Sequence, residues 1–276
     1  MNSRMSKHPQ EEHGFTLVEL LVVIAILGIL MAILVINLAG SREAAVRARA
    51  EHFASQLDRS LGSSAVGVWD FAGNANDSSG HNNHGNVDGA TLTTDRNEQE
   101  DRAYSFNGIG DSIAASITPT LNGDRTFAAW IEPTAGTEAM VVVEEGVSGA
   151  AQMYYVYSTG VNSGKLAVDS WGRGWFFSSA LVNIGQWNHV AFVYVSSTRT
   201  IKFYINGTYD TETSAYTSPG FYDTDAINIG GDPIGSSGNY YAGKIDDVRI
   251  FSRAVTSGEI ELLYAAGKEQ RGIAWQ

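Results

Sequence analysis

The chain contains no cysteine, which excludes a disulfide framework and any thiolate metal or redox centre. Rigidity outside a cell, where disulfides often brace small domains, must then come from core size or a bound ion. Proline is scarce: 5 residues in 276, none of them between residues 15 and 62. A proline-rich stalk and a proline-kinked first helix are both excluded. Basic residues are few as well, 18 against 30 acidic ones, for a formal charge of −12. Six of each sign lie in the first 62 residues, so residues 63–276 carry the whole net charge. Such a body repels phosphate backbones, and nucleic acid is set aside as a partner. What the chain has in abundance is glycine, with 30 residues, and a hydrophobic content of 43% with 11% aromatics. That supplies a substantial core and suits a β-rich body with many tight turns.

The longest apolar run is Phe15 to Ala39, which contains a single charge, Glu19. As a helix it would measure roughly 37 Å at about 1.5 Å per residue, enough to cross a bilayer core of about 30 Å. A short polar leader, residues 1–14, precedes it; Arg4 and Lys7 favour a cytoplasmic leader, while Glu11 and Glu12 weaken that signal. No A-x-A-like cleavage site follows the run, as a secretory signal would require. Glu19 argues against a plain anchor, because a carboxylate inside a membrane helix costs a few kcal/mol unless it has a partner.

The stretch Gly14-Phe15-Thr16-Leu17-Val18-Glu19-Leu20-Leu21-Val22-Val23 resembles the N-terminal segment of type IV pilins and type II secretion pseudopilins. The resemblance covers about the first 60 residues. It implies cleavage between Gly14 and Phe15 by a prepilin peptidase, N-methylation of the new Phe15 amine, and assembly with copies of itself or other pilins. Glu19 would then neutralise the Phe15 amine of a neighbouring subunit and set the axial register, since an unpaired charge is expensive where water is excluded. The missing late proline departs from many type IV pilins and leaves pilin and pseudopilin both open. Beyond Gly40 the helix is expected to continue to about Leu61, with Val46, Ala50, Phe53, Leu57 and Leu61 forming one apolar stripe. Gly62-Ser63-Ser64 ends it. Residues 15–62 are thus the membrane and polymerisation helix.

From Ala65 onward, short aromatic and β-branched runs alternate with Gly, Asn, Asp and Ser. The spacing predicts strands over Thr126–Glu132, Met140–Glu145, Gln152–Ser158, Trp187–Val195, Ile201–Ile205 and Gly243–Phe251. Asn206-Gly207 reads as a type I′ hairpin turn. Thr256 and Glu259 form a capping box for one late helix, which Gly267 is expected to end. The fold class is mainly β: a long N-terminal helix, then a two-sheet jelly-roll sandwich with one short C-terminal helix.

The ordered motifs Val68-Trp69-Asp70-Phe71, Tyr104-Ser105-Phe106-Asn107-Gly108, Phe127-Ala128-Ala129-Trp130-Ile131, Gln186-Trp187-Asn188-His189-Val190 and Gly243 to Phe251 resemble laminin-G-like, concanavalin A-like sandwiches. The resemblance covers residues 65–267; the head is drawn at 63–267, with 268–276 as a tail. It implies that the first and last strands join. This would bring the Asp77–Gly85 loop near Asp246, with Asp77, Asn83 and Asp246 as oxygen ligands for a structural Ca²⁺. By simple alternation Asp246, Val248 and Ile250 share one face. The bland alternative is that Asp77 and Asn83 form Asx turns while Asp246 caps a loop.

His81 and His84 share a loop of Asn and Gly and read as polar loop residues rather than zinc ligands. His189 reads as a core or edge histidine with its hydrogen bonds satisfied. Catalytic patterns are missing: no Glu-x-Asp-x-Glu strand, nucleophile elbow or phosphate loop occurs, and Glu144-Glu145 and Asp246-Asp247 are adjacent pairs facing opposite sides. The chain is therefore read as a non-enzyme. Trp171, Trp175, Tyr240 and Tyr241 are candidate glycan-stacking rings, with core packing as the competing account. The expected function is a subunit of a pilus-like surface filament with an adhesive head. The precursor would sit in the inner membrane and the product at the cell surface. A secretion pseudopilin and an unpolymerised anchored lectin are the alternatives.

Overall fold

The computed structural model describes residues 17–28, 31, 61–134, 139–146, 152–157, 160–170, 175–213, 224–231 and 239–269. The chain divides into two compact units, Met1–Arg49 and Ala50–Gln276. In the first, residues 17–28 form helix α1 with Leu17, Leu20, Leu21 and Leu27 exposed. Gly14, Phe15 and the amphipathic segment up to residue 60 lie outside the described residues. Among the described residues no helix is long and apolar enough to cross a membrane.

The second unit is built from antiparallel strands. One sheet runs β13(Thr208–Thr213), β12(Thr200–Ile205), β11(Asn188–Val195), β6(Arg125–Pro133), β15(Ala242–Phe251), β4(Ala103–Asn107), β3(Thr91–Thr93). Strand β1(Ala65–Trp69) also pairs with the second half of β15, so the first and last strands join as the resemblance implies. The other sheet runs β10(Trp175–Leu181), β9(Lys165–Ser170), β8(Gln152–Tyr157), β7(Ala139–Glu145), β14(Thr224–Ile229), β5(Ser112–Leu121), β2(Asn86–Asp88). The strands expected from the sequence all form, with ends shifted by a residue or so. This is the two-sheet sandwich the spacing predicts.

Period-two alternation decides which side chains fill the space between the sheets. In β6, Phe127, Ala129 and Ile131 point inward and join Val190 and Phe192 of β11 and Met140 and Val143 of β7. Ala128 and Trp130 point the other way. On that outer face the small side chains of Ala128 and Ala191 make room for Ile260 and Leu263 of α2(Ser257–Glu269). The helix starts where the capping box predicts: Glu259 accepts from the Thr256 N–H at 2.9 Å, and its own N–H donates to Thr256 Oγ1 at 3.3 Å. It does not stop at Gly267 but runs to Glu269, with Gly267 buried inside it. Glycine there serves close approach rather than termination, since a Cβ would sit 2.4 Å from Trp130 Nε1. The Asn206-Gly207 turn has positive φ at both residues, 51° and 77°, the type I′ geometry.

Candidate functional site

The sheet that carries α2 has a transverse row of polar and aromatic side chains on its outer face. Asp246 of β15 lies directly opposite Trp130 of β6, and Trp130 directly opposite His189 of β11. The row ends at the hairpin turn, where Asn206 Oδ1 accepts the His189 N–H at 3.0 Å. Simple alternation would have put Asp246 on the core side with Val248 and Ile250. A β-bulge prevents this: the register slips between Asp246 and Arg249, and Asp247 adopts φ 49°. Ile245, Val248 and Ile250 therefore fill the core while Asp246 turns outward.

Its partner comes from far away in sequence. The turn after β3 is tied by Asp95, whose Oδ1 accepts the N–H groups of Asn97 and Gln99 at 2.7 and 2.9 Å. This aims the Arg96 guanidinium onto Asp246 and, at 3.4 Å, onto Asp247, while Arg96 Nε donates to the Gly267 carbonyl at 3.0 Å. Burial pushes the Asp246 carboxyl up, opposed by Arg96. Burial works the same way on Asp247, but there Arg249 and Arg96 outweigh it and hold the carboxyl low. The guanidinium also lies 4.8 Å from the centre of the Trp130 ring, which stacks on Tyr264 of α2 with centroids 5.5 Å apart.

These groups wall a cavity of about 140 Å³, lined by Arg96, Asn97, Trp130, Trp187, Tyr264 and Lys268 together with Asn206 and Gly267. Trp130 is 5% exposed and His189 3%, yet Trp130 Nε1, His189 Nδ1 and Asn97 Oδ1 have no protein partner. His189 is thus a buried ring with one nitrogen unsatisfied, not the satisfied histidine expected. Burial drives its pKa down to about 3, so the imidazole is neutral. Three orphaned polar atoms in one place are uncommon, because buried polar groups almost always find partners. All three atoms are covered by protein, so the cavity lies beside them rather than opening onto them.

The residues expected to hold calcium have their oxygens engaged by other partners. Asp77 and Asn83 do meet: Asn83 N–H and Ser79 Oγ donate to Asp77 Oδ2 at 2.9 and 2.7 Å, while Val68 and Ser79 N–H groups donate to Oδ1, both at 2.9 Å. Burial raises the Asp77 pKa, but these hydrogen bonds outweigh it and hold the carboxyl low. Asn83 uses its amide on the Val66 carbonyl and on Thr118, stitching β1 to β5. Asp246 belongs to Arg96 instead. With their oxygens taken by protein donors and by a cation, the three do not fit a Ca²⁺ cage. Among the described residues no group of three His, Asp or Glu is placed to hold a metal. His84 Nδ1 accepts the Asp77 N–H at 3.0 Å.

Of the four rings singled out for glycan stacking, Trp171 lies outside the described residues, and the other three do not form one surface. Trp175 is 40% exposed on the outer face of the other sheet, near Tyr157 and stacked at 6.4 Å on Phe177. Tyr240 is half-buried, close to Gly231. Tyr241 is completely buried, edge-on to Phe106 in the core, and cannot stack on an external ligand. Sequence reading passed over Arg96, Asn97, Trp130, Trp187 and Tyr264. One signal was available: in Phe127-Ala128-Ala129-Trp130-Ile131 alternation puts Trp130 on the face opposite Phe127 and Ile131.

An antiparallel jelly-roll sandwich with a walled cavity on one outer face, preceded by a prepilin-type segment, defines a pilin-like chain with a lectin-type domain. The concanavalin A-like lectin/glucanases superfamily matches residues 107–261, and a prokaryotic N-terminal methylation motif matches residues 10–35. The chain belongs to the concanavalin A-like lectin/glucanases superfamily and carries the type IV pilin-type methylation motif. Among solved structures, the binding domain of Paraclostridial Mosquitocidal Protein 1 is 16% identical, with a TM-score of 0.59, over 74% of this chain and 52% of that one. The binding domain of botulinum neurotoxin serotype D is also 16% identical, at a TM-score of 0.58 over 75% and 52%. Domain 4 of AbnA, an extracellular arabinanase from Geobacillus stearothermophilus solved with arabinotriose, is 18% identical at 0.54 over 73% and 98%. The matched part of each toxin domain is about half its length. Such identities establish the fold alone. No curated protein matches the chain.

Proposed function

We propose that this protein is a subunit of a type IV pilus-like surface filament whose head binds carbohydrate. The observation that carries the reading is the union, in one chain, of a methylation motif over residues 10–35 with a lectin-type sandwich. Prepilin peptidase would cut between Gly14 and Phe15 and methylate Phe15. The precursor would wait in the inner membrane until Glu19 of one subunit meets the Phe15 amine of the next. In the head, the aromatic-walled cavity supports binding rather than catalysis, and the AbnA domain, solved with arabinotriose, offers a precedent for a sugar on this fold. Adhesion follows from holding such a head outward.

The test has two arms. Surface filaments, sheared off and labelled with an antibody to the head, should be decorated along the shaft or at the tip. Their tryptic digests should contain methyl-Phe15 as the N-terminus. Undecorated filaments, with the full-length uncleaved protein confined to the membrane fraction, would overturn the filament reading. A glycan array probed with the full chain tests the head.

A further inference from the structure

Alternation along β9 and β10 sends Val168 and Phe176 toward the core and Asp169, Trp175 and Phe177 to the outer face of their sheet. There Trp175 is 40% exposed and stacks on Phe177, with ring planes 20° apart and centroids 6.4 Å apart. Tyr157 of β8 stands across both rings, at 80° to Trp175 and 61° to Phe177, and braces them. One charge sits in this apolar setting. Asp169 lies directly opposite Trp175 in the register of β9 with β10, so their Cβ atoms are cross-strand neighbours about 4.5–5.5 Å apart. Asp169 is half-buried, and among the described residues its carboxylate has neither a hydrogen bond nor an ion pair. Burial raises its pKa with no cation to oppose the rise. Elsewhere in the head such groups are matched: Asp246 and Asp247 meet Arg96, Glu145 meets Arg125 and Glu259 meets Arg253.

We infer that Asp169, Trp175 and Phe177 form a surface site for an organic cation, a trimethylammonium group. The carboxylate supplies the opposite charge, and the exposed ring of Trp175 supplies a face that attracts cations. A divalent metal would need more oxygen ligands than one carboxylate offers. A primary ammonium is a strongly hydrated point charge, whereas methyl groups around the nitrogen lie well against aromatic rings. A neutral sugar could stack on Trp175 but brings no charge to Asp169. The field of the head points the same way, because residues 63–276 hold the whole formal charge of −12. The site is on the sheet opposite the one that carries α2, and it does not depend on the head binding carbohydrate.

The experiment uses the full chain in a polyoxyethylene detergent, which has neither sugar nor ammonium groups. Saturation-transfer NMR titrations are run with tetramethylammonium, choline, the neutral carbon isostere of choline, and glucose. Both cations should bind, and the isostere should bind at least about fivefold more weakly. Trp175→Ala should weaken choline binding about tenfold or more, and Asp169→Asn about three- to tenfold. Added salt should weaken the parent more than Asp169→Asn. Asp169→Asn should also melt no lower than the parent, since it removes an unmatched charge, so its loss of binding reads the site and not the fold. Trp175→Phe, with partial loss, serves if Trp175→Ala does not fold. Glycerophosphocholine represents a lipid headgroup: binding at the strength of choline assigns the group to a headgroup, weaker binding assigns it to a free ammonium, and both keep the site. Equal binding of the isostere overturns the cation and leaves an apolar patch. Choline binding unchanged in Trp175→Ala and Asp169→Asn overturns this location, and silence of the parent with both cations overturns the site. Glucose bound by the parent and lost in Trp175→Ala, with no binding of choline, overturns it in favour of a stacked sugar.

Discussion

Replacing Arg125 with methionine probes the ion pair that bridges the two sheets. Arg125 enters from β6 and Glu145 from β7, and their side chains, 1% and 0% exposed, are bonded to each other inside the sandwich. Tyr154 Oη donates to the second Glu145 oxygen at 3.5 Å, and the Arg125 guanidinium lies 5.5 Å from the Tyr194 ring centre. Arg125→Met leaves a carboxylate buried among Tyr154, Tyr194 and Phe127, and Glu145→Leu leaves a buried guanidinium. Each single change should cost about 3–5 kcal/mol, because it takes an opposite charge away from a group that stays in the core. The double replacement restores an apolar core and should fall within about 2 kcal/mol of the parent. Urea unfolding of the four proteins reads these values directly, and thermal melts should show each single variant lower by about 6–20 °C. The coupling energy in the cycle is then several kcal/mol. Additive single effects below about 1 kcal/mol would show that water or neighbouring dipoles already neutralise each charge, and the argument would fail.

Four further outcomes follow from the same geometry. Gly267→Ala adds a Cβ 2.4 Å from Trp130 Nε1; the clash should cost about 1–3 kcal/mol, more than the roughly 1 kcal/mol that alanine returns as a helix former, so the melting temperature should drop. His189 is neutral in the folded chain, with its pKa down at about 3 against 6.5 unfolded. Below pH 6.5 the unfolded chain binds the extra proton, so stability should fall with pH through the window from 6.5 to 3, by up to about 1.4 kcal/mol per unit. His189→Gln should flatten that segment of the stability–pH curve, and an unchanged slope would refute it. Asp77→Ala strands the N–H groups of Val68, Ser79 and Asn83 and should cost about 2–4 kcal/mol. A chelator should leave the parent's melting temperature where it was, whereas a clear drop would mean that the Asp77 oxygens serve a cation.

Much of this molecule is written in short-range chemistry. The apolar run with Glu19 at its start, the capping box of Thr256 and Glu259, the Asn206-Gly207 turn and the period-two strands each depend on residues a few positions apart. Local sterics and hydrogen bonding decide them, so they can be read without knowing what packs where. The sandwich follows because strands of that spacing have to cover two apolar faces.

What the chain's order of residues leaves open is settled by long-range pairing. The bulge at Asp247 turns Asp246 outward, and alternation cannot foresee it because the extra residue shows only when β15 is laid against β6. Arg96 meets Asp246 across 150 positions, so the carboxylate that looked like a calcium ligand turns out to be a salt-bridge partner. Trp175 and Tyr241 looked alike as aromatic candidates; sheet position alone makes one exposed and the other completely buried. The cavity gathers Asn97, Trp130, Trp187 and Tyr264 from a turn, a strand, a strand entrance and a helix. Its polar atoms become orphans only once α2 and the sheet exclude solvent around them, and that is a property of packing rather than of any segment.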